Sequence, residues 1–217
     1  MRSIRLFDLL MGFSRALDMV TPLLAGHHLR VAFLSQVIAE RMRLPRTTRK
    51  YMLMASMLHD IGAVPLKSDT RDLIFERNKA LHCRAGWAFC KTAGLPRPVC
   101  DMVLHHHTEW CSYEASDQHS LPANCIHLAD RVDVALRGKQ APDLHSICLT
   151  LQARDREYAP ACLEALATLA HDAEISALLD SHDRMEEYLA TAFGSVILGP
   201  VQLVDLCGLF SQTIDSK

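Results

Sequence analysis

Apolar residues recur at i, i+3, i+4 and i+7 along almost the whole chain, and strict alternation with β-branched residues is scarce. That period is helical, so the sequence predicts a nearly all-α protein. Helices are expected over 3–20, 27–43, 46–60, 80–93, 96–107, 121–138, 143–153, 159–171, 173–193 and 200–215. Breakers mark the divisions: Pro45 follows the second helix, Gly94 and Pro96 separate the fourth from the fifth, and Pro122 opens the sixth. Two stretches lack the period, residues 61–79 (IGAVPLKSDTRDLIFERNK) and 108–120 (TEWCSYEASDQHS). Both lie beside histidines, and such loops are where binding residues are expected.

The end of the chain echoes its beginning. LFDLLMGFSRALDM at 6–19 and LVDLCGLFSQTIDS at 203–216 share Leu6/Leu203, Asp8/Asp205, Leu9/Leu206, Phe13/Phe210, Ser14/Ser211 and Asp18/Asp215 at a constant offset of 197. One reading is the coincidence of two amphipathic helices; the other is a tandem array whose second unit begins here. Residues 141–217 otherwise carry no recognisable chemistry. They are expected to form a C-terminal helical extension packed on the bundle or on a second subunit or unit.

Several helical faces expected to be apolar carry an imidazole or a carboxylate. His27 begins the stripe Val31, Leu34, Ile38, and Met52 and Ala55 lead to His59. His82 aligns with Ala85 and Phe89; Val99, Met102 and Val103 lead to His106, with His107 four residues after Val103. Asp130 stands between Ile126 and Val134. An unpaired buried polar group costs about 1–3 kcal/mol, and one shared metal centre would satisfy all five helices at once. Imidazole with carboxylate suits Fe, Mn, Zn, Co or Ni, and the lack of cysteine among the donors argues against a structural zinc site. His28, about 100° round the helix from His27, is expected to face outward or to stand behind the ligands, as is His105. His119, His127, His145, His171 and His182 are expected at the surface or in ordinary packing.

Composition narrows the classes. The chain has 217 residues, 49% hydrophobic, and a net charge of −2 with both signs spread along it. It has length enough for a proper core and no basic footprint for a nucleic acid duplex or a membrane surface. No apolar run approaches the roughly 18 residues of a membrane-spanning helix. Eight cysteines contain no C-x-x-C pair, several within apolar stretches, which fits reduced thiols in the cytoplasm. Asp8 within the first apolar stretch, and no small-residue cleavage site, speak against a secretory signal.

Taken together, His27-x-x-Arg30-Val31, His59-Asp60-Ile61-Gly62, His82-x-x-x-Gly86, His105-His106-His107 and HLADRVD with Asp130 resemble the HD superfamily of metal-dependent phosphohydrolases. The HD-GYP branch, which hydrolyses cyclic di-GMP, is the nearest in pattern. The resemblance implies an all-α HD helical bundle over 1–140, with additional C-terminal helices over 141–217. It implies a dinuclear site of two divalent transition metals (Fe, Mn, Ni, Co or Zn) held by His27, His59, Asp60, His82, His106, His107 and Asp130. His59 and the bridging Asp60 would be the catalytic pair, serving a water activated between the two ions. Arg30, Lys67, Trp110 and Arg131 are the expected substrate contacts, and a nucleotide or cyclic dinucleotide the expected ligand. Three positions depart from the branch: Ala63 stands in place of a phosphate-contacting lysine, the segment after the histidines lacks G-Y-P, and Leu23 replaces a glutamate that binds a third metal in some relatives. The implied activity is phosphodiester hydrolysis. The alternative is a degenerate HD domain that regulates a neighbouring catalytic unit, and a homodimer or a second HD unit is the implied assembly.

Overall fold

A computed structural model describes residues 4–20, 25–64, 66, 79–114, 117, 119–137 and 143–215. The order is β1 (Ile4–Arg5), α1 (Leu6–Val20), α2 (His27–Arg41), α3 (Arg46–Leu58), α4 (Lys79–Thr92), α5 (Arg97–His105), α6 (Ser120–Leu136), α7 (Leu144–Gln152), α8 (Pro160–Leu169), α9 (Ala173–Leu179), α10 (His182–Phe193), β2 (Ile197–Leu198) and α11 (Pro200–Asp215). Short 3-10 turns at Ile61–Ala63 and Trp110–Ser112 fall in the two stretches without helical period. The all-α bundle expected from the sequence is the fold observed.

Helix α2 is the axis. Its residues from His27 to Ala39 are buried on nearly every side except Arg30, as befits a helix enclosed by others. It packs on α1, α3, α6, α8 and α10. The apolar core runs without a break from Leu6 to Phe210, so residues 144–210 share it with the helices that carry the histidines. Asn124 of α6, fully buried, ties the two regions together. Its Nδ2 donates to Thr108 O (3.3 Å) and Glu157 O (2.8 Å), and its Oδ1 accepts from Ala159 N (2.7 Å). Trp110 N and Cys111 N donate to Glu157 O and Arg156 O, both at 2.9 Å. The loop after the histidine run is therefore anchored on residues 156–159.

The helix expected over 173–193 is two. Helix α9 ends at Leu179, and the Ser181 hydroxyl accepts from Arg184 N to start α10, an N-cap within Asp180-Ser181 that helical periodicity alone passes over. Residues 4–5, expected in the first helix, pair instead as a strand antiparallel to Ile197–Leu198. The echoed segments lie against each other: Phe13 of α1 stacks on Phe210 of α11, centroids 3.9 Å apart and planes 10° from parallel. Among the described residues no helix is long and apolar enough to cross a membrane.

A candidate metal centre

Two histidines sit where helices stop. His59 is the residue after α3 and His106 the residue after α5, and the last carbonyls of a helix have no intrahelical partner. His59 Nδ1 donates to Ser56 O at 2.8 Å, and His106 Nδ1 donates to Val103 O at 2.7 Å. Both rings spend their Nδ1 proton on a carbonyl three residues back and turn Nε2 inward toward the other donors. The same event that ends the helix thus fixes the tautomer. A third ring, His27, opens α2 with Nδ1 2.6 Å from Asp133 Oδ2.

Close backbone packing sets the register between His59-Asp60 and His82. A Cβ on Gly62 would stand 2.0 Å from His82 O and 2.3 Å from Gly86 N, so the turn Ile61–Ala63 meets α4 backbone to backbone. Only glycine allows that approach. At the head of α2, Gly26 has φ 71°, and its N–H donates to Asp18 Oδ2 at 2.9 Å.

The inward donors form two groups that share one carboxylate: His27, His59 and Asp60, and Asp60, His82, His106 and His107, all buried. Within each group, one donor atom per residue lies within 4.8 Å of all the others. His27 Nε2 is 3.3 Å from His59 Nε2, and His82 Nε2 is 3.4 Å from His106 Nε2. Asp60 faces both pairs. Its Oδ2 is 3.4 Å from His59 Nε2 and 3.7 Å from His27 Nε2; its Oδ1 is 3.6 Å from His82 Nε2 and 3.7 Å from His106 Nε2. Asp130 joins through His27, with Oδ1 3.4 Å from Nε2, while its Oδ2 accepts from Arg131 Nη2 at 2.7 Å.

Burial opposes protonation of His27, yet the carboxylates of Asp133 and Asp60 prevail and lift its pKa to about 9. Burial pushes His59 down, so the pair shares one proton across the 3.3 Å gap. Asp60 is held well below the usual carboxylate range, its burial outweighed by the His59, His106 and His27 rings. Asp130 and Asp133 are lowered too, against their burial, by Arg131 and His27 for the first and by His27, Arg137 and Arg30 for the second. Cys83, whose Sγ is 3.6 Å from His106 Nδ1, falls to about 6 because that ring's charge outweighs burial.

The donors fit a divalent cation in each group. Asp60 Oδ1 is buried and accepts no hydrogen bond among the described residues. Nε2 of His59 and Nε2 of His106 each face another imidazole nitrogen at contact distance. A cation between them would satisfy all of these atoms, and the nitrogen and oxygen set is that of transition-metal sites.

Of the expected ligands, the structure brings six into the two groups and sets Asp130 beside His27. Among the expected substrate contacts, Arg30 gives Nε to Asp133 Oδ1 at 2.5 Å and Nη2 to Ala25 O at 3.1 Å. Arg131 is bonded to Asp130, and Trp110 is half-buried on the loop after the histidines. Lys67 and Leu23 lie outside the described residues; Ala63 is buried in its turn. The structure decides between the two places expected for two further histidines. His28 stands behind the ligands: it is 1% exposed, with Nδ1 2.6 Å from Asp18 Oδ1 and its ring 5.1 Å from those of His27 and His59. His127 is in packing: also 1% exposed, it stands between His107 and Tyr158, ring centroids 5.4 and 5.2 Å away. Sequence reasoning missed Asp133 and Asp18. A trace of Asp133 was present, since it follows Asp130 by three residues on a helix with a buried face.

An all-α bundle with its histidines and aspartates gathered from five helices into paired buried groups defines an HD-type protein. The chain belongs to the HD domain family, whose model matches residues 24–135. Among solved structures, it is similar to a cyclic GMP-AMP specific phosphodiesterase in V. cholerae (V-cGAP3), with a TM-score of 0.81 at 16% sequence identity. That match covers 100% of this chain and 61% of the other. No curated protein matches the sequence.

Proposed function

We propose that this chain is a metal-dependent phosphodiesterase acting on a cyclic dinucleotide, with cyclic di-GMP and cyclic GMP-AMP as the first candidates. The observation that carries this reading is the position of Asp60, one carboxylate oxygen turned to each of two imidazole groups. His27, His59 and Asp130 would hold one divalent cation, His82, His106 and His107 the other, and Asp60 would bridge them. Bound there, the cations supply Lewis acidity toward a phosphate oxygen and an activated water as nucleophile. The protein's share is to hold the donors: Ser56 O and Val103 O fix two rings, Asp133 fixes a third, and Arg131 orients Asp130. Membership of the HD family and the fold shared with a cyclic GMP-AMP phosphodiesterase support the substrate class.

The test is to measure the metal content of the purified protein and its hydrolysis of bis(p-nitrophenyl) phosphate, cyclic di-GMP and cyclic GMP-AMP with Mn or Fe added. Turnover that Asp60→Ala abolishes together with the bound metal supports the reading. Metal-loaded protein inert on all three contradicts it.

A second reading, a regulatory HD unit beside a catalytic one, is favoured by helix α11. Phe7 of α1 is 2% exposed against the core, whereas Val204, its counterpart at the offset of 197, is 69% exposed. Under this reading α11 is the first helix of a second unit, whose core would cover Val201 and Val204. The reading frame beyond Lys217 decides it: a second His-Asp pair at the same offset supports it, and a stop codon ends it.

A further inference from the structure

A cavity of about 530 Å³ adjoins the second donor group. Its inner wall is His107 and Cys83, 5% and 4% exposed, with His106 lying 3.6 Å behind the Cys83 sulfur. Its outer wall is Lys79 and Arg84 of α4 on one side and Glu109 and Ser112 of the anchored loop on the other. The volume falls within the range of small-molecule sites. Two cations face one carboxylate there, next to donors suited to metal ions. Arg84 is exposed and forms no salt bridge with a described residue, whereas Arg30, Arg131 and Arg137 are all engaged on buried aspartates.

The alignment of these features has a chemical meaning. A phosphodiester at the donor groups needs no further cation for its own charge. A guanidinium one cavity away matches a second anionic group of the same molecule, and its planar fork suits a phosphate. We propose that Arg84 binds the second phosphate of a two-phosphate substrate, in the cavity beside His107, and so selects cyclic dinucleotides over simple phosphodiesters. This rests on the phosphodiesterase reading above. His82 anchors the other face of the same helix, so the spacing between the reacting phosphate and the second one is set by α4 itself.

The experiment compares wild type, Arg84→Ala and Arg84→Lys on cyclic di-GMP, cyclic GMP-AMP and bis(p-nitrophenyl) phosphate, which has a single phosphate. Calorimetric binding of both dinucleotides to the metal-loaded protein is measured alongside. Arg84→Ala is expected to raise KM and Kd for a dinucleotide about ten- to a hundred-fold, to leave bis(p-nitrophenyl) phosphate kinetics unchanged, and to be partly rescued in Arg84→Lys. Equal losses on all substrates, or an unchanged dinucleotide KM and Kd, overturn the role of Arg84 while leaving the phosphodiesterase reading intact. Wild type that binds a dinucleotide without turnover refutes the enzyme reading alone, and the binding data then decide on Arg84. Wild type that binds neither dinucleotide overturns both.

Discussion

At the residue scale the donors were legible because their chemistry and their period coincide: an imidazole on an apolar helical stripe is a local signal. The groups behind them were not, because nothing in the sequence ties Asp133 to a residue 106 positions earlier. Yet Asp133 is fully buried and takes His27 Nδ1 at 2.6 Å, Arg30 Nε at 2.5 Å and Arg137 Nε at 2.8 Å. It fixes the ring so that Nε2 is the atom facing His59. Replacing Asp133 by Asn keeps the shape and removes the charge that orients and strengthens the ligand. Metal affinity is expected to fall about 10- to 100-fold, the usual cost of losing such a partner, read by competition with a chelator while circular dichroism reports the fold. An affinity equal to wild type would show that Asp133 serves packing alone. The choice between the two places expected for His28 stayed open for the same reason: its partner Asp18 lies on another helix, and helical angle alone cannot see it.

At the element scale the helices were readable to within a few residues, while the places where they stop turned out to matter more than their lengths. His59 and His106 are oriented by carbonyls that are free only because α3 and α5 end there. Register between α3 and α4 depends on Gly62, whose motif neighbour Gly86 is its packing partner, a pairing no single-chain pattern reveals. Gly62→Ala must drive the turn off His82 O and Gly86 N, which are rigid backbone atoms. Overpacking of this kind costs about 1–3 kcal/mol, sometimes more. Because α4 carries His82, the variant should lose metal from the second group as well as stability. Denaturant unfolding and metal stoichiometry check the two consequences; a variant with native stability and full metal content would mean the backbones separate without strain. The division of the expected helix 173–193 follows the same lesson, since a single serine cap outweighs an uninterrupted apolar stripe.

On the scale of the whole molecule, the site is a store of charge inside an apolar bundle, and its occupancy should govern stability. In the metal-free protein His27 has a folded pKa of about 9 against an ordinary value of 6.5. A raised pKa contributes stability that is full below pH 6.5 and is lost as pH rises through 9. Metal-free protein should therefore melt at progressively lower temperature across that window. A cation at the His27 group must displace the proton shared by His27 and His59, releasing about one proton per ion, so affinity strengthens over the same interval. At a hundred-fold excess over Kd, binding adds about 2.7 kcal/mol, or a rise in Tm of about 5–10 °C for a chain of this length. The gap between metal-loaded and chelated protein is expected to widen steadily from pH 6.5 to 9. Calorimetric scans with Mn, and with a chelator in its place, measure it at each pH. A gap that stays constant would mean that His27 carries no proton in the empty site, and a gap that narrows would mean that the cation binds somewhere other than between these rings.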